Sequence, residues 1–201
     1  MSAHKQDALH TLGAALLFLL LSFLGKQFLL RAPDSTASSG SSATAPKQSR
    51  QRVESVSGTF EGTYKVVGIS DGDTIDILKD EKRVRLRFAE VDTPEKGQPF
   101  GTRAKDALSG LIGGKDVRVV VKETDRYGRS IAHIYSGDVW VNEWMVAQGF
   151  AWHYKAFSDN AQLAALETEA RQARRGLWSD PRRVEPWNWR KLAKADRDKY
   201  R

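Results

Sequence analysis

The chain has 201 residues, enough for one folded core with accessory segments. Its formal net charge of +7 and pI near 9.7 suit a polyanionic partner such as nucleic acid or an anionic membrane, although basicity alone serves solubility equally well. With no cysteine, disulfide scaffolds, thiolate metal sites and cysteine nucleophiles are excluded.

Residues 1–31 read as an N-terminal signal anchor or transmembrane segment. Leu12 to Gly25 is apolar, Phe28 to Leu30 extends the stretch, and positions 8–30 reach the ~20 residues of a spanning helix if Lys26 snorkels. The alternative is a cleaved signal peptide, but Ala43-Thr44-Ala45 lies far downstream and is followed by Pro46, so an uncleaved anchor is expected. Flanking charge does not set the orientation, because Lys5 is balanced by Asp7 while Lys26 and Arg31 lie on the other side. Residues 32–57 are rich in Ser, Ala, Thr and Pro without apolar periodicity; such a stretch cannot offset the entropy of ordering and reads as a flexible linker.

From residue 58 the pattern turns to strands. They are expected at Thr59 to Ile69, Thr74 to Leu78, Arg83 to Phe88, Asp116 to Val121 and Ser130 to Tyr135. The third alternates cleanly, with Val84, Leu86 and Phe88 on one face and Arg83, Arg85 and Arg87 on the other. Helices are interleaved. Ala104, Ala107, Leu108 and Leu111 mark one, closed by Gly113 and Gly114, and Asn142 to Gln148 makes a second, stopped by Gly149. Ser158 or Asn160 caps a third, with Leu163, Leu166 and Ala170 inward and its end at Gly176. The fold class is α+β dominated by β: a five-stranded barrel of the OB type with about three packed helices, preceded by the N-terminal helix. The barrel domain spans 58–180, and 181–201 forms a basic, tryptophan-containing extension whose Trp187 and Trp189 are expected to pack on the barrel. His133, between Ala132 and Ile134 in a strand, reads as structural.

Three segments carry functional groups that packing does not require: Asp71-Gly72-Asp73-Thr74, Arg87 followed by Val91-Asp92-Thr93-Pro94-Glu95, and Asp125-Arg126-Tyr127-Gly128-Arg129. Taken singly each has an ordinary explanation: Asp-Gly is a common hairpin turn, Thr-Pro a common strand exit, and Tyr-Gly-Arg a common turn. Together, in this order and spacing, they resemble the staphylococcal nuclease (thermonuclease) family. The likeness continues through Val141-Asn142-Glu143, Gln148-Gly149-Phe150-Ala151 and Gly176-Leu177-Trp178-Ser179.

The resemblance implies a metal-dependent endonuclease that hydrolyses DNA and RNA with low sequence specificity. A set of carboxylate, hydroxyl and carbonyl oxygens without sulfur or imidazole suits calcium or magnesium. The resemblance selects calcium, with Asp73, Asp92 and the backbone carbonyl of Thr93 as ligands and Asp71 nearby but not coordinating. It implies Arg87 and Arg129 as the pair that stabilises charge on phosphate, and Glu95 as the group that activates or orients water. Arg126 and Tyr127 match positions that hold a terminal phosphate, and Tyr154 is the expected base-stacking surface. Two features depart from the best-known secreted relative: the stretch Lys96 to Gly101 is shorter than its flexible loop, and one tyrosine stands where that relative has two. The competing reading is a non-catalytic nucleic-acid- or protein-binding module tethered to the membrane; the presence of Asp73, Asp92, Arg87, Glu95 and Arg129 together argues against it. The catalytic part is expected outside the cytoplasm, on the ground that a non-specific nuclease inside would threaten the cell's own nucleic acids; secretion or periplasmic release after cleavage is the alternative. No obligate protein partner is evident.

Overall fold

The computed structural model describes residues 53, 54, 56 and 58–200. Among these described residues, nine strands and five α-helices follow in chain order. The first strands are β1 (Val53–Glu54), β2 (Glu61–Ile69), β3 (Thr74–Lys79), β4 (Lys82–Phe88) and β5 (Val91–Asp92), followed by helix α1 (Gly101–Ile112). Next come β6 (Asp116–Thr124), β7 (Ser130–Ser136), β8 (Val139–Trp140), α2 (Val141–Ala147), β9 (Trp152–His153) and α3 (Ala161–Gln172). The C-terminal part holds α4 (Pro186–Trp189) and α5 (Lys194–Arg197).

The expected barrel is present. Strands pair antiparallel in the order β4-β3-β2-β6-β7, and β7 returns to β4 in parallel register, Leu86 opposite Ser130 and Phe88 opposite Ala132. That last pairing closes the sheet along Leu86–Phe88 of β4. Closure needs strong local curvature, and the ladder registers shift between Val66 and Gly68 and between Val121 and Glu123, where bulges bend the strands. Ile75, Ile77, Val84, Leu86, Phe88, Val119 and Ile134 fill the interior, with α1 laying Ala104, Leu108 and Ile112 against them. The strand alternation read from sequence in β4 therefore holds, but the arginine face is not simply solvated. Arg83 and Arg85 grip the buried Asp76 of the neighbouring strand, Arg85 donating from Nε at 2.8 Å and Arg83 from Nε at 3.0 Å.

A second apolar cluster of Trp152, Ala170, Leu177 and Trp178 lies beside the first and receives Phe100 and Trp187. Its backbone is drawn in at Gly149 and Gly176, both at positive φ, where Leu177 N–H donates to Gly149 C=O at 2.8 Å. A Cβ on Gly149 would lie 2.3 Å from the Arg175 carbonyl oxygen, so only glycine permits this approach. Asn160 caps α3 as expected, its Oδ1 accepting from Gln162 and Leu163 N–H. The helix itself ends at Gln172, earlier than the expected Gly176, which instead opens a single 3₁₀ turn.

Two expectations change. β1 lies within the stretch read as linker and pairs in parallel with β4, so chain order begins before residue 58. The membrane assignment is also corrected. Residues 8–30 lie outside the described residues, and among the described residues no helix is long and apolar enough to cross a membrane. The two longest, α1 and α3, have 12 residues each and run about 18 Å, short of a hydrocarbon core of about 30 Å. Each buries only part of its surface. The transmembrane helix, the membrane as partner, and the single-pass extracytoplasmic location that rested on them are therefore not retained.

Candidate active site

The barrel brings one carboxylate-rich cluster together at the point where β3, β4 and β5 meet. Asp71 and Asp73 occupy the turn between β2 and β3, Arg87 sits near the end of β4, and Asp92 ends β5. A tight turn at Ala89-Glu90 separates the last two; Glu90 has φ of 66°, and Ala89 N–H donates to Ala132 C=O at 2.8 Å. Because strand residues alternate sides, Arg87 points away from the interior that Leu86 and Phe88 fill.

Asp73 and Asp92 are buried and both meet the Arg87 guanidinium. Nη2 of Arg87 donates to Asp92 Oδ1 at 2.7 Å, and Nη1 is ion-paired with Asp73 Oδ2. Thr93 ties the two carboxylate segments, donating from N–H and from Oγ1 to Asp73 Oδ2, each at 2.7 Å. Burial, reinforced by the neighbouring charge of Asp73, pushes the Asp71 carboxyl up to about 7. Burial also raises the Asp92 carboxyl, against the opposing pull of Arg190 and Arg87. For Arg87, desolvation favours the neutral form, but the charges of Asp73 and Asp92 more than offset it and the guanidinium is held above its ordinary value.

These groups line a cleft of about 1020 Å³ that also includes Glu95, Asp125, Arg126, Tyr127, Arg129 and Tyr154. All ten residues expected from sequence thus face one cleft, yet not all engage its centre. Arg129 turns to Asp125, with Nε and Nη2 both 2.7 Å from Oδ2, and Asp125 also accepts the Tyr127 and Arg129 N–H groups. Arg126 lies over the exposed Tyr127 ring at 4.8 Å. Tyr154 is covered on one face by Trp187, the rings 5.4 Å apart and 6° from parallel. His133 also lines the cleft, against Trp140 and 3.8 Å from Glu90, and burial holds its imidazole below the usual range.

One residue was not anticipated. Arg190, just after α4, forks onto Asp92 with Nη1–Oδ1 at 3.2 Å and Nη2–Oδ2 at 2.8 Å, and its Nη1 also donates to Glu95 Oε1 at 2.6 Å. Its partners lie 95 and 98 residues away in sequence, and nothing local marks it. The nearest cue is the adjacent Trp189, which is buried and anchors the segment.

Whether a divalent cation suits this cluster is decided by donor chemistry and charge. The donors lining the cleft include the carboxylates of Asp71, Asp73 and Asp92 and the hydroxyl of Thr93, and Asp73 lies close enough to Asp71 to destabilise the charge of Asp71. Such a set fits a hard cation. The carboxylates are engaged with guanidiniums, however, and among the described residues no group of three or more Asp, Glu, His or Cys side chains is preassembled around a common point.

Comparison with known proteins bears directly on this geometry. The family model described as staphylococcal nuclease homologue matches residues 85–180, which include Arg87, Asp92, Glu95 and Arg129. A micrococcal nuclease of Shigella flexneri is 43% identical over 141 residues, covering 65% of this chain and 81% of that protein. The chain belongs to the staphylococcal nuclease family. Protein ParB of Escherichia coli is 45% identical over 150 residues, or 67% of this chain and 82% of the relative. The staphylococcal-like nuclease CAN1 of Arabidopsis thaliana is 37% identical over 153 residues, or 75% of this chain and 47% of the relative. Homology thus supports a hydrolytic function of the nuclease type. None of these descriptions specifies a membrane-anchored or exported protein, so the expected resemblance is corrected to the family alone.

Proposed function

We propose that this protein is a calcium-dependent phosphodiesterase that hydrolyses DNA and RNA with low sequence specificity. The observation that carries the proposal is the convergence of two buried carboxylates, Asp73 and Asp92, on the buried guanidinium of Arg87, with Glu95 in the same cleft. Asp73, Asp92 and the Thr93 carbonyl would hold calcium, with Asp71 beside them. When bound, the ion supplies Lewis-acid polarisation of a phosphate oxygen.

The chain's own residues account for the remaining requirements. Hydrolysis adds negative charge to a phosphate that is already anionic, and Arg87 supplies a planar pair of donors whose position is fixed by burial. Arg129 reaches the same cleft and has to exchange Asp125 for phosphate, which its partial exposure permits. Glu95 orients the attacking water or takes its proton as the new P–O bond forms; the opposing P–O bond breaks and the leaving oxygen takes a proton from solvent water. A positioned base of this kind contributes about 10²- to 10⁴-fold. Arg126, Tyr127 and Tyr154 line the cleft as contacts for phosphate and base. Groups aimed at phosphate rather than at base edges support low sequence selectivity.

Arg87→Lys tests the proposal, because lysine keeps the charge and loses the fork. Single-turnover cleavage of a labelled oligonucleotide should fall by about 10²-fold or more, as on loss of a donor to developing charge, with a smaller change in binding. A near-normal turnover rate would remove Arg87 from the mechanism and favour a binding module.

A further inference from the structure

The C-terminal segment is docked into the cleft rather than trailing from it. Gln98 Nε2 donates to the Val184 carbonyl at 2.6 Å, Trp187 stacks on Tyr154, Trp189 is buried, and Arg190 reaches Asp92 and Glu95. Between them, Arg87 and Arg190 engage both oxygens of Asp92: Oδ1 accepts from Arg87 Nη2 and Arg190 Nη1, and Oδ2 from Arg190 Nη2. A cation approaching Asp92 has to displace a guanidinium.

The two arginines are not equally displaceable. The side chain of Arg87 is only 11% exposed and is held by Asp73 as well as Asp92, so it cannot turn into water without giving up both carboxylates. The side chain of Arg190 is 42% exposed and sits at the end of a short helix that Trp189 holds independently. Its guanidinium can move into water while the segment stays docked.

We propose that Arg190 is an internal counter-cation that competes with the divalent metal ion for Asp92, and that its release from Asp92 and Glu95 is coupled to metal binding. The proposal rests on the assignment of Asp92 as a metal ligand given above. Without metal, Arg190 compensates two carboxylates that would otherwise face each other across the cleft. Its release frees Asp92 for coordination and frees Glu95 from its 2.6 Å contact with Arg190. The docked segment therefore acts on the site through one side chain and sets how much metal is needed to fill it.

Calcium titration calorimetry on the full chain, in the absence of nucleic acid, tests this without reference to activity. Arg190→Ala should bind calcium about ten-fold or more tightly than the unaltered chain, the scale expected when a charge-assisted contact no longer has to be broken. Arg190→Lys retains a competing charge without the fork and should fall between the two, and it guards against a general loosening of the segment by the alanine change. NMR of the Arg190 guanidinium together with amide exchange supplies a second readout: in the unaltered chain, calcium should raise side-chain mobility at Arg190 while the Trp189 amide, bonded to Glu185 C=O at 2.8 Å, stays protected. Equal or weaker calcium affinity in Arg190→Ala would overturn the proposal alone. No calcium binding by any of the three proteins would overturn it together with the metal assignment.

Discussion

Replacing Asn142 with leucine removes three hydrogen bonds at a position with no exposed surface. Its Oδ1 accepts from Ile134 N–H at 3.0 Å, and its Nδ2 donates to the carbonyls of Ala89 at 3.0 Å and Ala132 at 3.1 Å. The Ala132 carbonyl keeps a partner, because Ala89 N–H also donates to it. The Ile134 N–H and the Ala89 C=O lose theirs, and water cannot reach either through the packed leucine. At about 1–3 kcal/mol for each stranded group, the cost is about 2–6 kcal/mol, a large share of a typical domain's stability. Urea unfolding of the full chain followed by circular dichroism measures it directly. Asn142→Asp sharpens the test, since its carboxylate would face two carbonyl oxygens. Its deficit relative to the unaltered chain should shrink as the pH falls and the acid gains a proton to donate. A loss below about 0.5 kcal/mol for the leucine variant, the level of an ordinary surface change, would refute this account of how the Ala89-Glu90 turn is held. The turn matters because it connects Arg87 to Asp92.

Asp73→Asn keeps the shape that receives Thr93 but removes the charge facing Arg87; cleavage should drop by about 10²-fold or more while the circular dichroism spectrum of the folded chain is retained. His133 and His153 are both held below the usual imidazole range, chiefly by burial. Between the folded and unfolded values the unfolded chain binds more protons, so stability is complete above about pH 6.5 and declines as the pH falls below it. Unfolding free energies compared at about pH 7 and about pH 5 should show that decline, and His133→Gln should lessen it.

Much of the barrel is written in local pattern. In β4, apolar residues every second position sort themselves into the core, and Ile75 and Ile77 of β3 follow the same spacing. Asn160 announces α3 because the first N–H groups of a helix lack backbone partners and a side-chain oxygen there can accept from them. The candidate site is legible for a different reason: Asp71, Asp73, Arg87 and Asp92 stand out only through the resemblance of their segments to the family's motifs, and the fold brings those turns and strand ends into one cleft. What sequence does not reveal depends on longer reach. β1 has two residues and no period of its own, and it forms by borrowing the β4 edge. Arg190 meets Asp92 through a chain path of 98 residues, and its only local marker is a buried tryptophan beside it. The pairing of Arg129 with Asp125 four residues earlier is within reach of spacing alone.

Calcium dependence of cleavage is the direct test of a hard cation held by the carboxylates around Arg87. Full-length protein incubated with DNA, and separately with RNA, should cut both when calcium is present. Excess chelator should abolish cutting, and renewed calcium should restore it. Magnesium should support little turnover, since its stricter octahedral geometry demands a different arrangement of oxygen ligands. Undiminished cleavage in excess chelator would contradict the account.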